Sequence, residues 1–327
     1  MGENMKRAVI SGVSGQDGRL LSSFLLSKGY SVFGFYSIGN PTPIGYPFDL
    51  YPDIELIPTN YLDTESTLSL IQEIGPDEFY NLTAVSSVSF SFLNPSLTFN
   101  LNAFFPTSVF DKISKISELS ELRIYQASSS EMFGNSGMEP KVEGSRFRPV
   151  SPYAKSKVEA HLSAARIRSE RGHFISCGIL FNHESKLRPP QFVSRRITQQ
   201  VANIFLGKQE KVKIGNPDIS RDWGFAGDYV KAMWLMLQQK EPSDFVIATG
   251  KSHTITELIQ VALLSTGIET PVESIIEIDE NMKRSSDILG TIGDASKARE
   301  LLGWEPEVGL EEMIKDMVMY DIENAKQ

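Results

Sequence analysis

The chain has 327 residues, an ordinary globular composition and a formal net charge of -9 with a pI near 5.1. The acidic balance argues against a nucleic-acid-binding surface, and the single cysteine excludes an internal disulfide framework and a cysteine metal cage. The amino terminus lacks the apolar stretch of a signal peptide, and no long apolar run follows. We therefore expect a cytoplasmic protein that does not enter membranes and holds no metal.

A short apolar strand, Ala8-Val9-Ile10, opens the chain and leads into a turn with glycines at Gly12, Gly15 and Gly18. A helix follows, with its apolar side chains on one face, and Gly29 ends it. Free backbone N–H groups and the helix dipole make such a turn a cradle for a pyrophosphate. The flanking strand and helix therefore predict a dinucleotide site, which three spaced glycines alone would not.

The second strand, Val32 to Tyr36, is expected to end near the adenosine ribose of that dinucleotide. An acidic residue there would hydrogen-bond the ribose of NAD, and an arginine would meet the extra phosphate of NADP. The segment Ser37-Ile38-Gly39-Asn40 carries neither charge. Arg19 in the first helix is a second candidate for a phosphate contact, with a solvated arginine as the alternative. The residues leave the choice between NAD and NADP open.

Strand-like segments then recur with helices between them, at Ile54 to Ile57 and at Glu78 to Ala84. This alternation predicts a parallel sheet with right-handed crossovers, whose ligands lie at the carboxyl ends of the strands. The stretch from Leu97 to Ser117 has a helical pattern, and we expect Pro106 to kink or interrupt it. A later strand ends in Ser128-Ser129-Ser130-Glu131.

Tyr153 and Lys157 lie four residues apart in a helix that opens at Ser151-Pro152, so they share one face. The unperturbed pKa of a phenol is about 10, and an ammonium about 4 Å away would favour the phenolate by roughly 4 kcal/mol at an effective dielectric constant near 20. We therefore expect Lys157 to lower the pKa of Tyr153 and to make it a proton acceptor. Ser129 and Glu131 add a hydroxyl donor and a second titratable group for a multistep acid–base reaction.

Another buried strand, Ile175 to Phe181, precedes Pro189-Pro190, where the chain is expected to leave the sheet. We predict an α/β fold with a Rossmann-type doubly wound parallel sheet and a smaller, mixed α/β carboxyl-terminal lobe. The dinucleotide-binding domain would comprise residues 1–181, with residues 217–250 returning to it. Residues 182–216 and 251–327 would form the second lobe.

From Arg7 to its carboxyl end the chain resembles the extended short-chain dehydrogenase/reductases, and within them the GDP-mannose 4,6-dehydratase family. The glycine turn and the Tyr-x-x-x-Lys pair are common among oxidoreductases. Three narrower motifs carry the resemblance: Gln126-Ala127-Ser128-Ser129-Ser130-Glu131, Asn182-His183-Glu184-Ser185 and Arg221-Asp222-Trp223. The resemblance implies a hydro-lyase that converts GDP-mannose, or a close GDP-hexose or heptose, to a 4-keto-6-deoxy sugar with a tightly bound nicotinamide cofactor.

The resemblance also implies the roles of the catalytic residues. Tyr153 abstracts the 4-hydroxyl proton while hydride leaves C4, and Lys157 binds the nicotinamide ribose and steadies the phenolate. Glu131 takes the C5 proton, Ser129 helps it to expel the 6-hydroxyl as water, and hydride returns at C6. His183 is expected to hold its loop by a hydrogen bond rather than to take part in the chemistry.

The binding residues implied by the resemblance fall into two sets. The cofactor set is Gly12, Gly15, Gln16, Asp17, Gly18, Tyr36, Asn60, Leu82, Ala84, Tyr153 and Lys157. The second lobe would bind the nucleotide sugar, and the substrate set is Ser86, Asn182, Glu184, Arg195, Gly215, Arg221, Arg284 and Asp287. The arginines of this set would supply forked, charge-assisted bonds to the diphosphate.

Departures from the family pattern leave alternatives open. The family favours NADP through an arginine pair after the second strand, and that pair is missing here, which keeps NAD open and makes a tetramer doubtful. A homodimer is expected, through helices beginning near Leu97 and Pro152. A nucleotide-sugar 4-dehydrogenase, 4-epimerase or decarboxylase shares Tyr153 and Lys157 and is the rival enzyme, although an epimerase has no evident use for Glu131. A non-catalytic dinucleotide-binding scaffold would have no reason to carry all four catalytic groups.

Overall fold

The computed structural model describes residues 5–38, 53–282 and 288–326. Within these ranges the strands are β1 (Arg7–Ser11), β2 (Ser31–Ser37), β3 (Ile54–Thr59), β4 (Glu78–Asn81), β5 (Arg123–Ser129), β6 (Ile175–Leu180), β7 (Asn182–Glu184), β8 (Val212–Ile214), β9 (Ser220–Phe225), β10 (Asp244–Ile247), β11 (Ser252–Thr254) and β12 (Ile276–Ile278). The α-helices are α1 (Gln16–Ser27), α2 (Thr64–Ile74), α3 (Val88–Leu93), α4 (Pro95–Phe99), α5 (Phe105–Ile113), α6 (Pro152–Arg171), α7 (Val193–Phe205), α8 (Ala226–Leu237), α9 (Ile255–Leu264), α10 (Val272–Ile275), α11 (Ser296–Leu302) and α12 (Leu310–Ala325).

Seven strands form one sheet in the order β10-β6-β5-β4-β1-β2-β3, and every neighbouring pair is parallel. The strand order reverses between β1 and β4. The chain segments that follow these two strands therefore run in opposite directions and leave a crevice at the carboxyl ends of the strands. The predicted doubly wound Rossmann-type fold is confirmed. Its crevice is the natural position for a dinucleotide.

Helices cover both faces of this sheet, which explains why β4 and β6 are buried along their whole length. On one face Leu21 and Leu25 of α1 pack with Met233 of α8. On the other face the side chains of α2 and α5 form a separate core around Phe79 and Phe110, whose rings meet edge to face at 6.2 Å. The strand ends are therefore held between two rigid layers.

The helical stretch predicted around Pro106 is interrupted, as expected. Helix α4 ends at Phe99, a π-helical turn covers Asn100–Phe104, and α5 begins at Phe105. A π turn relieves the missing N–H of a proline without ending the helix. It also places Asn102 so that its side-chain amide holds both backbone groups of Val85, at 2.7 and 3.1 Å. The interruption thus fixes the loop after β4, which borders the crevice.

A second core is formed by elements that follow β6 in the chain. Strands β7, β9 and β11 form one small sheet, and β8 pairs with β12 in another. Helices α7, α9 and α12 surround buried side chains that include Ile197, Leu258, Ile314 and Trp223. Among the residues with described positions, no helix is both long and apolar enough to cross a bilayer.

Candidate active site

The glycine turn sits between β1 and α1 and has room on one side only. Gly12 adopts φ +75°, and a Cβ there would meet the backbone carbon of Leu82 at 2.9 Å. A Cβ on Gly18 would lie 2.6 Å from the Cα of Val13. A Cβ on Gly15 would approach nothing closer than 3.4 Å. The first and third glycines are thus required by the fold, and the open face at Gly15 and the start of α1 suit a pyrophosphate.

Tyr61 braces this turn, and the sequence pattern gave no reason to single it out. Its hydroxyl accepts a hydrogen bond from the Gly12 N–H at 2.9 Å and donates one to the Phe35 carbonyl at 2.7 Å. Burial raises the pKa of Tyr61 to about 12. The neutral phenol is therefore a fixed connection between the glycine turn and β2.

The first turn of α1 is tied to the segment that leaves the sheet after β6. Gln16 donates from Nε2 to the His183 carbonyl at 3.1 Å, and Ser185 donates its hydroxyl to Gln16 Oε1 at 2.9 Å. Asp17 and His183 are joined at 2.8 Å, and the other nitrogen of His183 lies 2.7 Å from the Phe181 carbonyl. The expectation that His183 holds its loop by hydrogen bonding is confirmed.

His183 carries a positive charge in this arrangement. Both ring nitrogens face acceptor oxygens, and a neutral imidazole has only one N–H to donate. Burial opposes the charge, but the carboxylate of Asp17 outweighs it and raises the pKa of His183. Burial likewise opposes ionisation of Asp17, and His183 lowers the pKa of that carboxyl in spite of it. The pair is an internal ion pair at the edge of the crevice.

The four predicted catalytic residues meet where β5 ends and α6 begins. Ser151 caps α6 by accepting from the Ala154 N–H at 3.0 Å, and Tyr153 and Lys157 follow on its first turns. The chain turns after Ser129 into a short 3₁₀ segment that includes Glu131. The Glu131 N–H donates to Ser129 Oγ at 3.3 Å, and the Ser129 side chain acts to lower the pKa of Tyr153.

The expected lowering of the Tyr153 pKa by Lys157 is not observed. Burial raises the pKa of Tyr153 to about 12, although the Ser129 hydrogen bond acts in the opposite direction. Burial also lowers the pKa of Lys157 to about 8, against the charge of Asp17. The ammonium donates to the Ala127 carbonyl at 2.8 Å and lies 5.9 Å from the centre of the Tyr153 ring. The cost of burying a phenolate therefore exceeds its local stabilisation.

A row of buried polar side chains on β1, β4 and β5 leads to the carbonyl that Lys157 contacts. Ser11 donates to Asn81 Oδ1 at 2.8 Å, and Asn81 Nδ2 donates to Gln126 Oε1 at 2.8 Å. Gln126 Nε2 then donates to the Ala127 carbonyl at 2.9 Å, the same oxygen that holds Lys157. The sequence analysis missed Asn81, although an amide at the carboxyl end of strand β4 was a usable signal.

The predicted substrate residues lie on the second-lobe side of the crevice, and several already have protein partners. Glu184 on β7 is buried, accepts from Ser194 Oγ at 2.7 Å and pairs with Arg188 at 3.0 Å. Arg195 is buried on α7 and forms an ion pair with Asp321 of α12. These contacts fix both side chains, and their binding roles stay predictions.

Other predicted residues are spread along the edges of the crevice. Arg221 on β9 donates to the carbonyls of Ser220 and Ile288 at 2.8 and 2.7 Å. Asn182 pairs with Trp223 across β7 and β9. Two predicted residues, Arg284 and Asp287, lie outside the described residues. The positions of the rest follow from the strands they belong to or succeed: Tyr36 on β2, Asn60 after β3, Leu82, Ala84 and Ser86 after β4, and Gly215 after β8.

Arg188 is a crevice residue that the sequence analysis placed only in the segment leaving the sheet. Its positive charge contributes a lowering of the pKa of Tyr153, Asp17 and His183. At Tyr153 and His183 this contribution is smaller than the effects that raise the pKa. Its guanidinium also stacks 3.7 Å from the centre of the Phe192 ring. Only the fold brings this arginine near Tyr153, because the two are distant in the chain.

Three potential metal ligands also meet, although their spacing predicted no metal site. His161, Cys177 and Asp244 lie with ligand atoms within 4.8 Å of one another, beneath α6. Arg168 donates to both carboxylate oxygens of Asp244, at 2.7 and 2.8 Å, and the Ser128 hydroxyl forms a hydrogen bond with His161 Nδ1 at 2.9 Å. The cluster is thus engaged in protein contacts that join α6 to β5 and β10.

The chain is similar to known proteins over nearly its whole length. Residues 9–317 match the family model described as GDP-mannose 4,6 dehydratase. The chain is 42% identical to GDP-mannose 4,6 dehydratase 2 of Arabidopsis thaliana, covering 99% of this chain and 89% of that one. It is 36% identical to the human GDP-mannose 4,6 dehydratase, covering 99% and 93%.

Solved structures share the fold at lower identity. The UDP-glucose 4-epimerase of Thermotoga maritima superimposes with a TM-score of 0.85 at 22% identity, over 98% of this chain and 99% of that one. The dTDP-glucose 4,6-dehydratase of Bacillus anthracis, solved with NAD, gives 0.83 at 18% identity, over 98% of each chain. A Pseudomonas aeruginosa relative of the same fold was solved with NADPH and gives 0.78 at 21%, over 98% of this chain and 100% of that one.

Proposed function

The chain belongs to the GDP-mannose 4,6-dehydratase family, and from that premise we propose that its crevice removes water from GDP-mannose to give GDP-4-keto-6-deoxymannose. The family expected from the sequence is confirmed. The observation that carries the proposal is the meeting of Ser129, Glu131 and Tyr153 at the end of β5, beside the glycine turn. A hydroxyl, a carboxyl and a phenol at one strand end supply the groups that oxidation at C4 and elimination across C5 and C6 require.

The enzyme uses a nicotinamide cofactor, either NAD or NADP. When bound, the nicotinamide accepts hydride from the sugar and later returns it, so the net reaction is redox-neutral. The open face at Gly15 and the position of Lys157 at the strand ends support binding of this cofactor in the crevice. The proposed cofactor contacts are those predicted from the sequence, with Tyr61 bracing the turn that makes them.

Tyr153 accepts the proton of the sugar 4-hydroxyl. With a pKa of about 12 in the chain itself the phenol is neutral near pH 7, so it gives up its own proton to solvent as the reactants align, and the phenolate then takes the 4-hydroxyl proton. Two neighbours favour that ionisation. The Ser129 side chain and the charge of Arg188 both lower the pKa of the phenol.

Glu131 removes the C5 proton once C4 is a ketone, because the adjacent carbonyl makes that proton acidic. The carboxyl then returns a proton to the departing 6-hydroxyl, water leaves, and C5 takes up a proton exchanged with solvent when the hydride is restored at C6. The Ser129 hydroxyl accepts from the backbone N–H of Glu131 and lowers the pKa of Tyr153, so it is close to both residues that transfer protons.

The nucleotide end of the substrate is proposed to lie against the second lobe. Residues 1–181 with 217–250 would bind the dinucleotide, and residues 182–216 with 251–327 would grip the GDP group. Asn182, Arg221 and Arg195 are the proposed diphosphate contacts among the described residues. Because the Arg195 charge is balanced by Asp321, we expect it to orient the site and Arg221 to contribute more to affinity.

We further propose a homodimer formed through α4, α5 and α6. The support is a set of exposed apolar side chains on α4, on α6 and on the π turn between α4 and α5, namely Phe99, Phe104 and Leu162. Exposed apolar groups on adjacent helices are typical of a subunit interface. Light scattering after size-exclusion chromatography should give a dimer mass, and Leu162→Arg should shift it towards the monomer. A monomeric wild-type chain would contradict the proposal.

Incubation with GDP-mannose in deuterated water tests the function. We expect a product lighter by one water and carrying deuterium at C5, with no build-up of reduced cofactor. An unchanged hexose with accumulating NADH or NADPH would instead support a 4-dehydrogenase. A 4-epimer of unchanged mass without deuterium at C5 would support an epimerase, and loss of carbon dioxide from a uronic-acid substrate would support a decarboxylase.

A further inference from the structure

A small pocket lies at the carboxyl ends of β2 and β3, where the adenosine half of a dinucleotide bound at the glycine turn is expected. It lies on the far side of the turn from Tyr153. Its walls come from the end of β2, from the residues that follow β3, and from α4 with the π turn. The lining residues are Ser37, Ile38, Asn60, Tyr61, Leu62, Leu97 and Leu101.

All of these lining residues are uncharged, and the sequence around them lacks any positive charge. From residue 29 to residue 111 there is no lysine, arginine or histidine, and there are nine aspartates and glutamates. This span includes β2, β3, α2, β4, α3, α4 and all of α5 except its last two residues, where Lys112 pairs with Glu65 of α2 at 2.6 Å. The elements that surround the adenosine pocket therefore present a negative electrostatic environment.

Such a pocket distinguishes a ribose hydroxyl from a ribose phosphate. A phosphate monoester carries a charge of about −1.5 to −2 at neutral pH and requires cationic or multiple hydrogen-bond donors. A hydroxyl needs only neutral partners, which the Ser37 hydroxyl and the Asn60 amide provide. Asn60 is held by its own Oδ1, which accepts from the Leu62 N–H at 3.2 Å. A phosphate here would lose hydration without gaining an opposite charge.

Arg19 is the rival source of positive charge. It lies in the early part of α1, and its backbone N–H donates to the Gly15 carbonyl at 3.1 Å. Its Nε is buried and has no hydrogen-bond partner among the described residues. Its guanidinium could therefore serve a cofactor phosphate, either the pyrophosphate or the ribose phosphate. The choice between these two is open to direct test.

We propose that this chain binds NAD in preference to NADP, and that the uncharged end of β2 at Ser37 and Ile38 determines the preference. The proposal rests on the nicotinamide cofactor of the proposed function. It assigns Arg19 to the pyrophosphate, which NAD and NADP share. An arginine introduced at Ser37 or Ile38 would supply the missing charge.

The test identifies the cofactor directly, without relying on turnover. Purified protein is denatured and the released dinucleotide is identified by mass spectrometry. The protein is then stripped and reloaded from an equimolar mixture of NAD and NADP. We expect NAD to be recovered in excess by at least about tenfold, the effect of one charge-assisted contact.

Three variants refine the result. Ser37→Arg with Ile38→Arg should move the recovered ratio towards NADP by about tenfold to a hundredfold. Ser69→Arg adds a positive charge to the exposed face of α2, outside the pocket, and should leave the ratio unchanged. Arg19→Ala should weaken both cofactors to the same extent.

Recovery of NADP from the wild-type protein, or a loss of NADP alone in Arg19→Ala, would overturn the inference. Dehydration of GDP-mannose is assayed separately. Protein that holds NADP and dehydrates GDP-mannose would refute the cofactor preference and keep the proposed function. Protein that holds NAD but fails to dehydrate would do the reverse.

Discussion

The hydroxyl of Tyr153 is the single group whose removal tests the proposed chemistry most directly. In Tyr153→Phe the ring still fills its buried position, and only the hydroxyl is removed. One hydrogen-bonding group contributes about 1 kcal/mol, which for a protein of this size changes the melting temperature by only about 1–2 °C. The fold should therefore persist.

The effect on the rate should be much larger. A positioned general base contributes about 10²–10⁴-fold to a proton transfer, equivalent to roughly 3–5 kcal/mol. The high pKa of Tyr153 does not diminish this expectation, because the phenol needs to ionise only while the 4-hydroxyl proton moves. Initial rates of formation of the dehydrated nucleotide sugar, followed by mass, give the measurement.

Tyr125→Phe is the matched control. Tyr125 is also a buried tyrosine of the sheet, on β5, and its hydroxyl has no hydrogen-bond partner among the described residues. Its replacement should leave the rate within about twofold and the stability equal or higher, because an unsatisfied buried hydroxyl is removed. The reasoning fails if Tyr153→Phe retains more than a tenth of the wild-type rate, or if both variants lose activity equally.

Three further predictions follow from the site. Glu131→Gln should lower dehydration by about 10²–10⁴-fold and abolish deuterium uptake at C5; uptake at the wild-type rate would exclude this base. Lys157→Met should abolish activity but raise the melting temperature at pH 7. This gain in melting temperature should shrink as the pH rises from about 8, the pKa of Lys157 in the folded protein, towards about 10.5, its pKa in the unfolded chain. Asp17→Asn should lower the melting temperature most between about pH 4 and 6.5, where the pair with His183 is intact. The difference in melting temperature between the variant and the wild type should become smaller as the pH rises through the raised pKa of His183. Thermal melts across this pH range that show a constant difference would exclude the ion pair as its cause.

The sheet and its catalytic strand end could be predicted because local signals carry them. The glycine spacing around Gly12, the apolar strands and the helix cap at Ser151 each depend on neighbours within a few residues. Pro106 likewise announced a break, although a π turn that preserves the helix direction was not foreseen. Tyr61 and Arg188 were missed because their roles depend on contacts with Gly12 and Tyr153, which are remote in sequence.

The Tyr153 pKa shows why residue identity and spacing are insufficient for the chemistry. Helical spacing correctly placed Lys157 one turn beyond the phenol, yet the direction of the shift depends on burial and on where the ammonium points. The ammonium donates to the Ala127 carbonyl at 2.8 Å, and the side-chain amide of Gln126 donates to the same carbonyl. The lysine is therefore a fixed and easily neutralised cation, with a pKa of about 8. Burying this ammonium costs stability near neutral pH, and burial of Tyr153 itself keeps the phenol protonated until the reactants align beside it.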